Sequence, residues 1–213
     1  KTQELGMPAE ETFLTLGSIY LNMEHLLNAE ENIRRAAEIS PENPKAYKLL
    51  AVIESKKKNA DRAESLINKA IELEPENPDY WFYLGTIYRN LLKDYDKALE
   101  IYKKCVSMDP NRFEVWNDMG VTYMSLNELS EAKRCFKRSM ELAPLHYRPY
   151  YNLACVASLE GDIPTALEYL EKSFRLAPHR ICKNAPNDPD LQALWETSEF
   201  VNMFLRYCGD ENR

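Results

Sequence analysis

Histidines are the first candidates for catalysis or metal binding in this sequence, because the imidazole ring titrates near neutral pH and ligates metals. There are three, His25, His146 and His179. None has a cysteine or serine partner in a repeated arrangement, and the chain has neither a glycine-rich phosphate loop nor an HExxH motif. We therefore expect solvated turn residues, and the sequence predicts no catalytic residue and no enzyme.

Cysteines are the second candidates, since a thiolate can act as a nucleophile or bind a metal. The five are Cys105, Cys135, Cys155, Cys182 and Cys208. Their number is odd, no two have CxxC spacing, and no histidine lies at metal-ligand spacing from them. We expect buried, unpaired thiols that behave as small apolar residues, with no metal site and no cofactor. Unpaired thiols favour a reducing cytoplasm.

Two short polar motifs could also bind a ligand. "NDPD" at 187–190 is typical of a turn in which Asp188 caps a helix and Pro189 follows it. A metal-binding loop is the alternative, but it lacks further carboxylates at ligand spacing. "KKK" at 56–58 is interpreted as a solvated turn, with a basic docking spot as the alternative.

The elements that must position these residues follow from a repeat of about 34 residues. In each repeat, a large residue is followed by Leu or Met with a small neighbour, then an alanine, a bulky residue and a proline. The large residues are Phe13, Tyr47, Trp81, Trp116 and Tyr150; the alanines are Ala29, Ala63, Ala98, Ala132 and Ala166; the prolines are Pro41, Pro75, Pro110, Pro144 and Pro178. Four units have 34 residues; unit 78–112 has one more, placed in the turn at 90–96.

This pattern resembles the tetratricopeptide repeat (TPR) family over five units, 10–43, 44–77, 78–112, 113–146 and 147–180. The resemblance implies an all-α fold in which antiparallel helix pairs stack as a solenoid into a right-handed superhelix. The apolar spacing of three and four residues supports helices, and the small residues allow close helix approach. First helices are predicted near 10–23, 44–57, 78–91, 113–126 and 147–160, and second helices near 26–39, 60–73, 95–108, 129–142 and 163–176.

The two ends of the chain break this register. Residues 1–9 are polar with Gly6 and Pro8, which predicts a linker or a frayed preceding unit. Residues 181–213 are predicted to form capping helices that resemble the "DPDL" segments at the ends of bacterial TPR arrays. A short face of Leu191 and Leu194 is followed by a last helix that begins near Ser198.

In the family, partners usually bind in a concave groove lined by the first helices. The residues that the resemblance places there, and that we select as partner-binding candidates, are Lys45, Lys48, Phe82, Tyr83, Arg89, Asn117, Arg148, Tyr151 and Asn152. Formal charges of the five units sum to −5, +1, +1, −1 and 0, and the tail carries −3. The groove centre is therefore aromatic and cationic between acidic ends, which fits a peptide or helix with acidic and apolar residues.

Some partner classes are disfavoured. Chaperone C-terminal tails need a clamp of lysines and asparagines, but Val52 stands where an asparagine is required, and Glu114 and Asp118 have the wrong charge. A net charge of −7 argues against nucleic acid. No stretch of about 18 apolar residues occurs, so no membrane insertion is expected.

The sequence therefore predicts a non-catalytic scaffold that docks a protein or peptide in the concave groove. One alternative is a regulatory or substrate-recruiting region of a larger enzyme or assembly; another is self-assembly through the solenoid ends. A cytoplasmic location is expected, although the chain begins at Lys1 and a signal sequence could have been removed.

Overall fold

The computed structural model describes residues 9–209, which form helices joined by short turns and contain no strand in that range. The two members of each of the five successive pairs pack against each other. The pairs are α1 (Ala9–Asn22) with α2 (Leu26–Ile39), α3 (Pro44–Lys56) with α4 (Ala60–Leu73), α5 (Pro78–Ile87) with α6 (Tyr95–Met108), α7 (Phe113–Ser125) with α8 (Leu129–Leu142), and α9 (Tyr147–Leu159) with α10 (Ile163–Leu176). The all-α prediction is confirmed, and the five second helices have the predicted bounds.

Caps and aromatic side chains set where the first helices begin. Asn43 and Asn77 each accept a hydrogen bond from the backbone N–H two residues later, with a proline at the first helical position. In four of the five first helices, the large aromatic residue of the repeat donates a hydrogen bond to the carbonyl of the preceding proline. The pairs are Tyr47 Oη to the Pro41 carbonyl, Trp81 Nε1 to Pro75, Trp116 Nε1 to Pro110, and Tyr150 Oη to Pro144. These aromatics therefore act as packing and hydrogen-bonding residues within the fold.

Small residues let the helices of a pair approach closely, as the spacing predicts. A Cβ atom built on Gly85 would lie 2.5 Å from the ring of Tyr102, and one on Gly120 would lie 2.5 Å from the ring of Phe136. Both rings are fully buried. The core of each pair is thus a bulky side chain on the second helix seated against a small residue on the first.

The residues after α10 form a C-terminal segment of short helical elements that starts almost directly where α10 ends. Pro178 does not only end α10, because it begins a short helix, α11 (Pro178–Asn184). Two 3₁₀ turns, Ala185–Asn187 and Pro189–Leu194, lead to α12 (Ser198–Cys208). Leu191 and Leu194 are fully buried with Phe174 in one apolar cluster. The predicted linker, apart from Ala9, lies outside the described residues.

The chain divides into two compact units, residues 1–108 and 109–213.

Candidate functional site

In the first compact unit, α3 and α5 line an open depression of about 310 Å³, here called the Tyr83 depression. The surface of its walls is mostly apolar and is formed by residues of α3, of α5 and of the turn that follows α5. They are Val52, Ser55, Lys56, Tyr83, Thr86, Ile87, Asn90 and Leu91. Of the partner-binding candidates selected from the sequence, Tyr83 lines this depression.

The extra residue of the third repeat shapes this depression. The sequence placed it in the turn at 90–96, but the structure accommodates it as a π-helical turn, Tyr88–Leu92, that overlaps the start of that segment. Such a turn widens a helix locally and changes the direction of the side chains it carries. Asn90 and Leu91 of this turn line the Tyr83 depression. Lys93 then adopts a left-handed conformation, with φ of 58°, and ends the turn.

Phe82 and Tyr83 differ in their surroundings. Tyr83 lines the depression, and burial raises the pKa of its hydroxyl. The ring centroid of Phe82 lies 6.0 Å from that of buried Tyr102 on α6, in a tilted arrangement. Phe82 therefore also supports the helix pair, and Tyr83 is the more informative of the two as a binding residue.

The cationic candidates of this unit occupy neighbouring positions. Lys45 is exposed and lines a second depression, of about 400 Å³, between α1 and α3, where Leu14 and Leu49 supply apolar walls. Lys48 on α3 and Arg89 in the π-helical turn are half-buried. The structure thus puts Lys45 at the second depression, Lys48 elsewhere on α3, and Arg89 in the turn that follows α5.

The three lysines of the "KKK" motif have different structural roles. Lys56 lines the Tyr83 depression, and Lys58 takes the left-handed conformation of the turn, with φ of 63°. Lys57 is half-buried and pairs with Glu30 of α2 and with Glu54, which is 2% exposed. The solvated-turn interpretation is therefore wrong for Lys57, which links two helix pairs.

The hydrogen bonds among Glu30, Glu54 and Lys57 shift the pKa values of all three groups. The hydrogen bond from Lys57 lowers the pKa of Glu30. Burial acts to raise the pKa of Glu54, but hydrogen bonds from Asn59 and Lys57 outweigh it, and the pKa lies below its ordinary value. The same bonds raise the pKa of Lys57. The network is thus charged at neutral pH and joins α2 to the turn between α3 and α4.

In the second compact unit, two of the candidates bond to each other. The Asn152 amide donates to the Asn117 carbonyl oxygen at 2.9 Å, across α9 and α7. Asn117 is 4% exposed. This pair holds two first helices together, and Asn117 offers a partner almost no surface.

Tyr151 is covered by the C-terminal segment. Its hydroxyl donates to Asp188 Oδ2 at 2.6 Å, and the other Asp188 oxygen accepts from the Asp190 backbone N–H at 3.1 Å. Asp188 is thus the helix cap that the sequence predicts, and it also bonds to α9. Tyr151 lies against the chain's own tail in this conformation.

Cys155, Asp188 and Asp190 bring ligand atoms within 4.8 Å of one another, which is the type of cluster that could hold a metal ion. Sequence spacing could not reveal it, because Cys155 is more than thirty residues away. Burial raises the pKa of the Cys155 thiol and of the Asp190 carboxyl. Both Asp188 oxygens already accept hydrogen bonds within the fold, so the cluster is explained as the anchor of the tail.

Arg148, the last of the partner-binding candidates, lies beside His146 at the start of α9. Arg148 is exposed, and its backbone N–H donates to His146 Nδ1 at 3.3 Å. His146 is therefore the cap of α9, half-buried against the rings of Phe113 and Tyr147, and burial lowers its pKa. The expectation of a solvated turn histidine is wrong at this position.

The cysteine prediction is also corrected. Cys105, Cys135 and Cys155 are buried and form no disulfide, as expected. Cys182 of α11 and Cys208 of α12, however, form a disulfide. Sequence spacing missed it because the pair spans the C-terminal segment, whose path is not repetitive. Since disulfides persist mainly in oxidising compartments, the cysteines no longer favour a reducing cytoplasm.

Between residues 9 and 209, no helix combines the length and the apolarity that a membrane crossing requires.

Comparison with known proteins gives matches to three family models, all described as tetratricopeptide repeat. One matches residues 10–43, 44–77 and 147–180, and the others match 66–100 and 91–154. Together the matches run from residue 10 to residue 180. The first model matches segments with the same limits as three of the units assigned from the repeat.

Solved structures with the same fold include proteins of several bacteria. The structure of pilF from Pseudomonas aeruginosa is 19% identical, with a TM-score of 0.74, and the alignment covers 96% of this chain and 94% of that one. A thermophilic TPR protein of Thermus thermophilus is 19% identical, with a TM-score of 0.69 and coverages of 94% and 97%. YrrB, described as a TPR protein with an unusual peptide-binding site, is 23% identical, with a TM-score of 0.59 and coverages of 79% and 87%. These likenesses show the fold.

Among curated proteins, the nonsense-mediated mRNA decay factor SMG7 of Danio rerio is 24% identical over 93 residues. The match covers 39% of this chain and only 8% of that protein.

Proposed function

The chain belongs to the tetratricopeptide repeat family, and on that premise we propose that it is a non-catalytic scaffold that docks a partner peptide or helix on its first helices. The observation that carries this proposal is the Tyr83 depression, an open and largely apolar site between α3 and α5. Repeat scaffolds of stacked helices present extended binding surfaces of this kind. Peptide recognition by YrrB, a protein of the same fold, is consistent with this mode.

The chemistry of the depression defines the partner. Val52, Ile87 and Leu91 offer an apolar seat for one large side chain, and Tyr83 adds an aromatic wall of low conformational entropy cost. Lys56 lines this seat, and Lys45 and Lys48 lie on the same helix, α3. A peptide with an apolar anchor and flanking acidic residues therefore fits best, and the lysines would speed its association.

The first compact unit carries most of the proposed site. Its candidates are Lys45, Lys48, Phe82, Tyr83 and Arg89. In the second unit, Arg148 is exposed, but Asn117, Tyr151 and Asn152 are engaged by hydrogen bonds within the fold. Arg148 stays a candidate of the second unit, and we expect the other three to hold the helices and the tail of that unit in place.

Selection of a random peptide library on the whole chain tests the proposal. Enriched peptides should combine acidic residues with an apolar anchor. Tyr83→Ala should weaken the best peptide by about 2 kcal/mol while leaving far-UV circular dichroism unchanged, as expected for an interface hot spot. Lys45→Glu with Lys48→Glu should slow association at low salt and have less effect at high salt, since salt screens long-range attraction.

Lys103→Glu is the matched control, because Lys103 is exposed on the second helix α6 and lies outside both depressions. It makes the same change in charge as one groove substitution. If Tyr83→Ala and the lysine double variant both retain parental affinity, the partner binds elsewhere and the groove assignment fails.

A second candidate function is a regulatory or substrate-recruiting region of a larger enzyme or assembly. The match to 8% of a much longer mRNA decay factor favours it, since the similar segment lies there within a larger chain. The coding sequence on either side of residues 1–213 tests this alternative: a catalytic domain in the same reading frame would support it.

A further inference from the structure

Two arginines of the second compact unit converge on one tyrosine. Arg148 follows Tyr147 at the start of α9, and Arg180 lies on α11; both arginines are exposed. Nη1 of Arg180 donates a hydrogen bond to the Tyr147 hydroxyl at 3.5 Å, and the guanidinium carbon lies 5.8 Å from the centroid of the Tyr147 ring. Partial burial acts to raise the pKa of this hydroxyl, but hydrogen bonding and positive charge from both arginines outweigh it and lower the pKa. Two cations therefore act on one oxygen atom.

Within residues 9–209, neither of these arginines forms an ion pair with a carboxylate. Most other arginines in that range do, as Arg34 does with Glu30 at 2.6 Å and Arg138 with Glu141 at 3.0 Å. The chain has 34 acidic and 27 basic residues, so acidic partners for arginine are abundant. Two neighbouring guanidiniums without a carboxylate therefore leave a local excess of positive charge, to which an anion can bind.

Groups around Tyr147 both strengthen and weaken this positive field. The helix α9 has 13 residues, and its N-terminus, next to Arg148, carries a partial positive charge. His146, the cap of α9, stacks on the Tyr147 ring with the ring centroids 5.2 Å apart. Burial and the positive charges of Arg148 and Arg180 lower the pKa of His146, whereas Glu114 of α7 opposes this effect. Glu114 is thus an acidic neighbour that an anion at this site would face.

The directions of the donors indicate the shape of the anion. The guanidiniums belong to two different helices, and the Tyr147 hydroxyl, which accepts from Arg180, keeps its own hydrogen for donation. A carboxylate has two oxygens in one plane, and a single guanidinium can occupy both of them. A phosphate monoester has three terminal oxygens in a tetrahedral arrangement and a charge of about −1.5 to −2 at pH 7. It can therefore accept from both guanidiniums and from the hydroxyl at the same time.

We propose that Tyr147, Arg148 and Arg180 form a binding site for the phosphate group of a phosphorylated partner peptide. The arginines bond to the phosphate oxygens, and the Tyr147 hydroxyl holds Arg180 in place and donates to a further oxygen. A nucleic acid or an acidic membrane is a poorer occupant, because such polyanions need an extended basic surface and this protein has a net charge of −7. The inference assigns a ligand to Arg148 and does not depend on binding at the Tyr83 depression, which none of the three residues lines.

Three pools of short fluorescent peptides test this proposal on the whole chain. The sequences are random except at the central residue, which is phosphoserine in one pool, glutamate in the second and serine in the third. In fluorescence anisotropy at low salt, the phosphoserine pool should bind at least about tenfold more tightly than the serine pool. It should also bind more tightly than the glutamate pool, because phosphate brings more charge and more acceptor atoms.

Arg148→Gln and Arg180→Gln should each weaken binding of the phosphoserine pool at least about tenfold, since each removes hydrogen bonds to a charged group. Both side chains are exposed, so far-UV circular dichroism should not change. Glu114→Gln should strengthen binding about twofold, because it removes a nearby negative charge. Lys137→Gln is the matched control, since Lys137 is exposed on α8 and the change removes the same charge. This control and Tyr83→Ala should leave the affinity within about twofold.

Three results would overturn the inference. One is equal affinity for the phosphoserine pool and for either of the other two pools. Another is parental affinity in both arginine variants. The third is tighter binding of single-stranded DNA or of phosphatidylserine vesicles than of the phosphoserine pool, lost in both arginine variants, which would make a nucleic acid or a membrane the occupant.

Discussion

Gly120→Ala should destabilise the protein, although alanine is the better helix former. Gly120 lies on α7 against α8, and an added Cβ would be 2.5, 2.7 and 2.8 Å from three atoms of the Phe136 ring. Carbon atoms prefer separations of about 3.5–4.0 Å, so the ring must move by about 1 Å. Because Phe136 is fully buried, no open space receives it.

Two opposing effects determine how much Gly120→Ala changes the free energy of unfolding. Overpacking a dense core costs about 1–3 kcal/mol. Replacing glycine by alanine within a helix returns about 1 kcal/mol. We expect a net loss of about 1–2 kcal/mol in the free energy of unfolding, taking the upper part of the overpacking range because the ring is confined.

A compensating change is present elsewhere in the same chain. In the fifth helix pair, Ala154 and Leu170 occupy the register of Gly120 and Phe136, and both are fully buried. Phe136→Leu alone should cost about 1 kcal/mol through lost packing. In the double variant, the smaller leucine leaves room for the new methyl group, so the two effects should be coupled by about 1 kcal/mol or more and not add.

Urea denaturation followed by circular dichroism measures all four proteins. Gly209→Ala is the matched control, because no atom lies within 4 Å of a Cβ built there; it should stay within about 0.5 kcal/mol of the parent. A Gly120→Ala protein as stable as the parent would show that the pair relaxes freely. Strict additivity in the double variant would show that the residues are not complementary.

Two further predictions concern charges and the tail. Lys57→Met should cost about 2 kcal/mol at pH 7, because buried Glu54 loses the nearer of its two cations and keeps only Arg62, at 3.9 Å. The contacts lower the pKa values of Glu30 and Glu54, so their contribution is present above the ordinary carboxyl pKa and is lost as the pH falls through the lowered values. The gap between variant and parent, measured by urea denaturation, should therefore narrow below about pH 4. Reduction of the Cys182–Cys208 disulfide, which closes a loop of 26 residues, should cost about 3 kcal/mol. A thermal melt with and without reductant measures this, and the variant with both cysteines changed to serine should not respond.

Much of the fold could be predicted because its signals are local. The spacing of Tyr102 and its counterparts, the asparagine caps such as Asn77, and the recurring prolines act within one or two helical turns. These signals recur in each repeat, so an ambiguous helix boundary in one unit can be assigned by comparison with the others. The candidate site was predicted less well. Register placed Tyr83 in the groove, but it could not show the π-helical turn that brings Asn90 and Leu91 beside it.

By itself, the sequence determined the helix pairs, their order and the residues seated between them, because a periodic apolar pattern specifies both the helix and the face it buries. Only the tertiary structure decided which side chains remain exposed and able to contact a partner. The tail brings Asp188 to Tyr151, 37 residues away, and joins Cys182 to Cys208. Ile19 is another example, because it is exposed although its counterparts in later repeats, Ile53 and Ile87, are buried. Exposure depends on what packs there in three dimensions, and residue type alone does not carry that information.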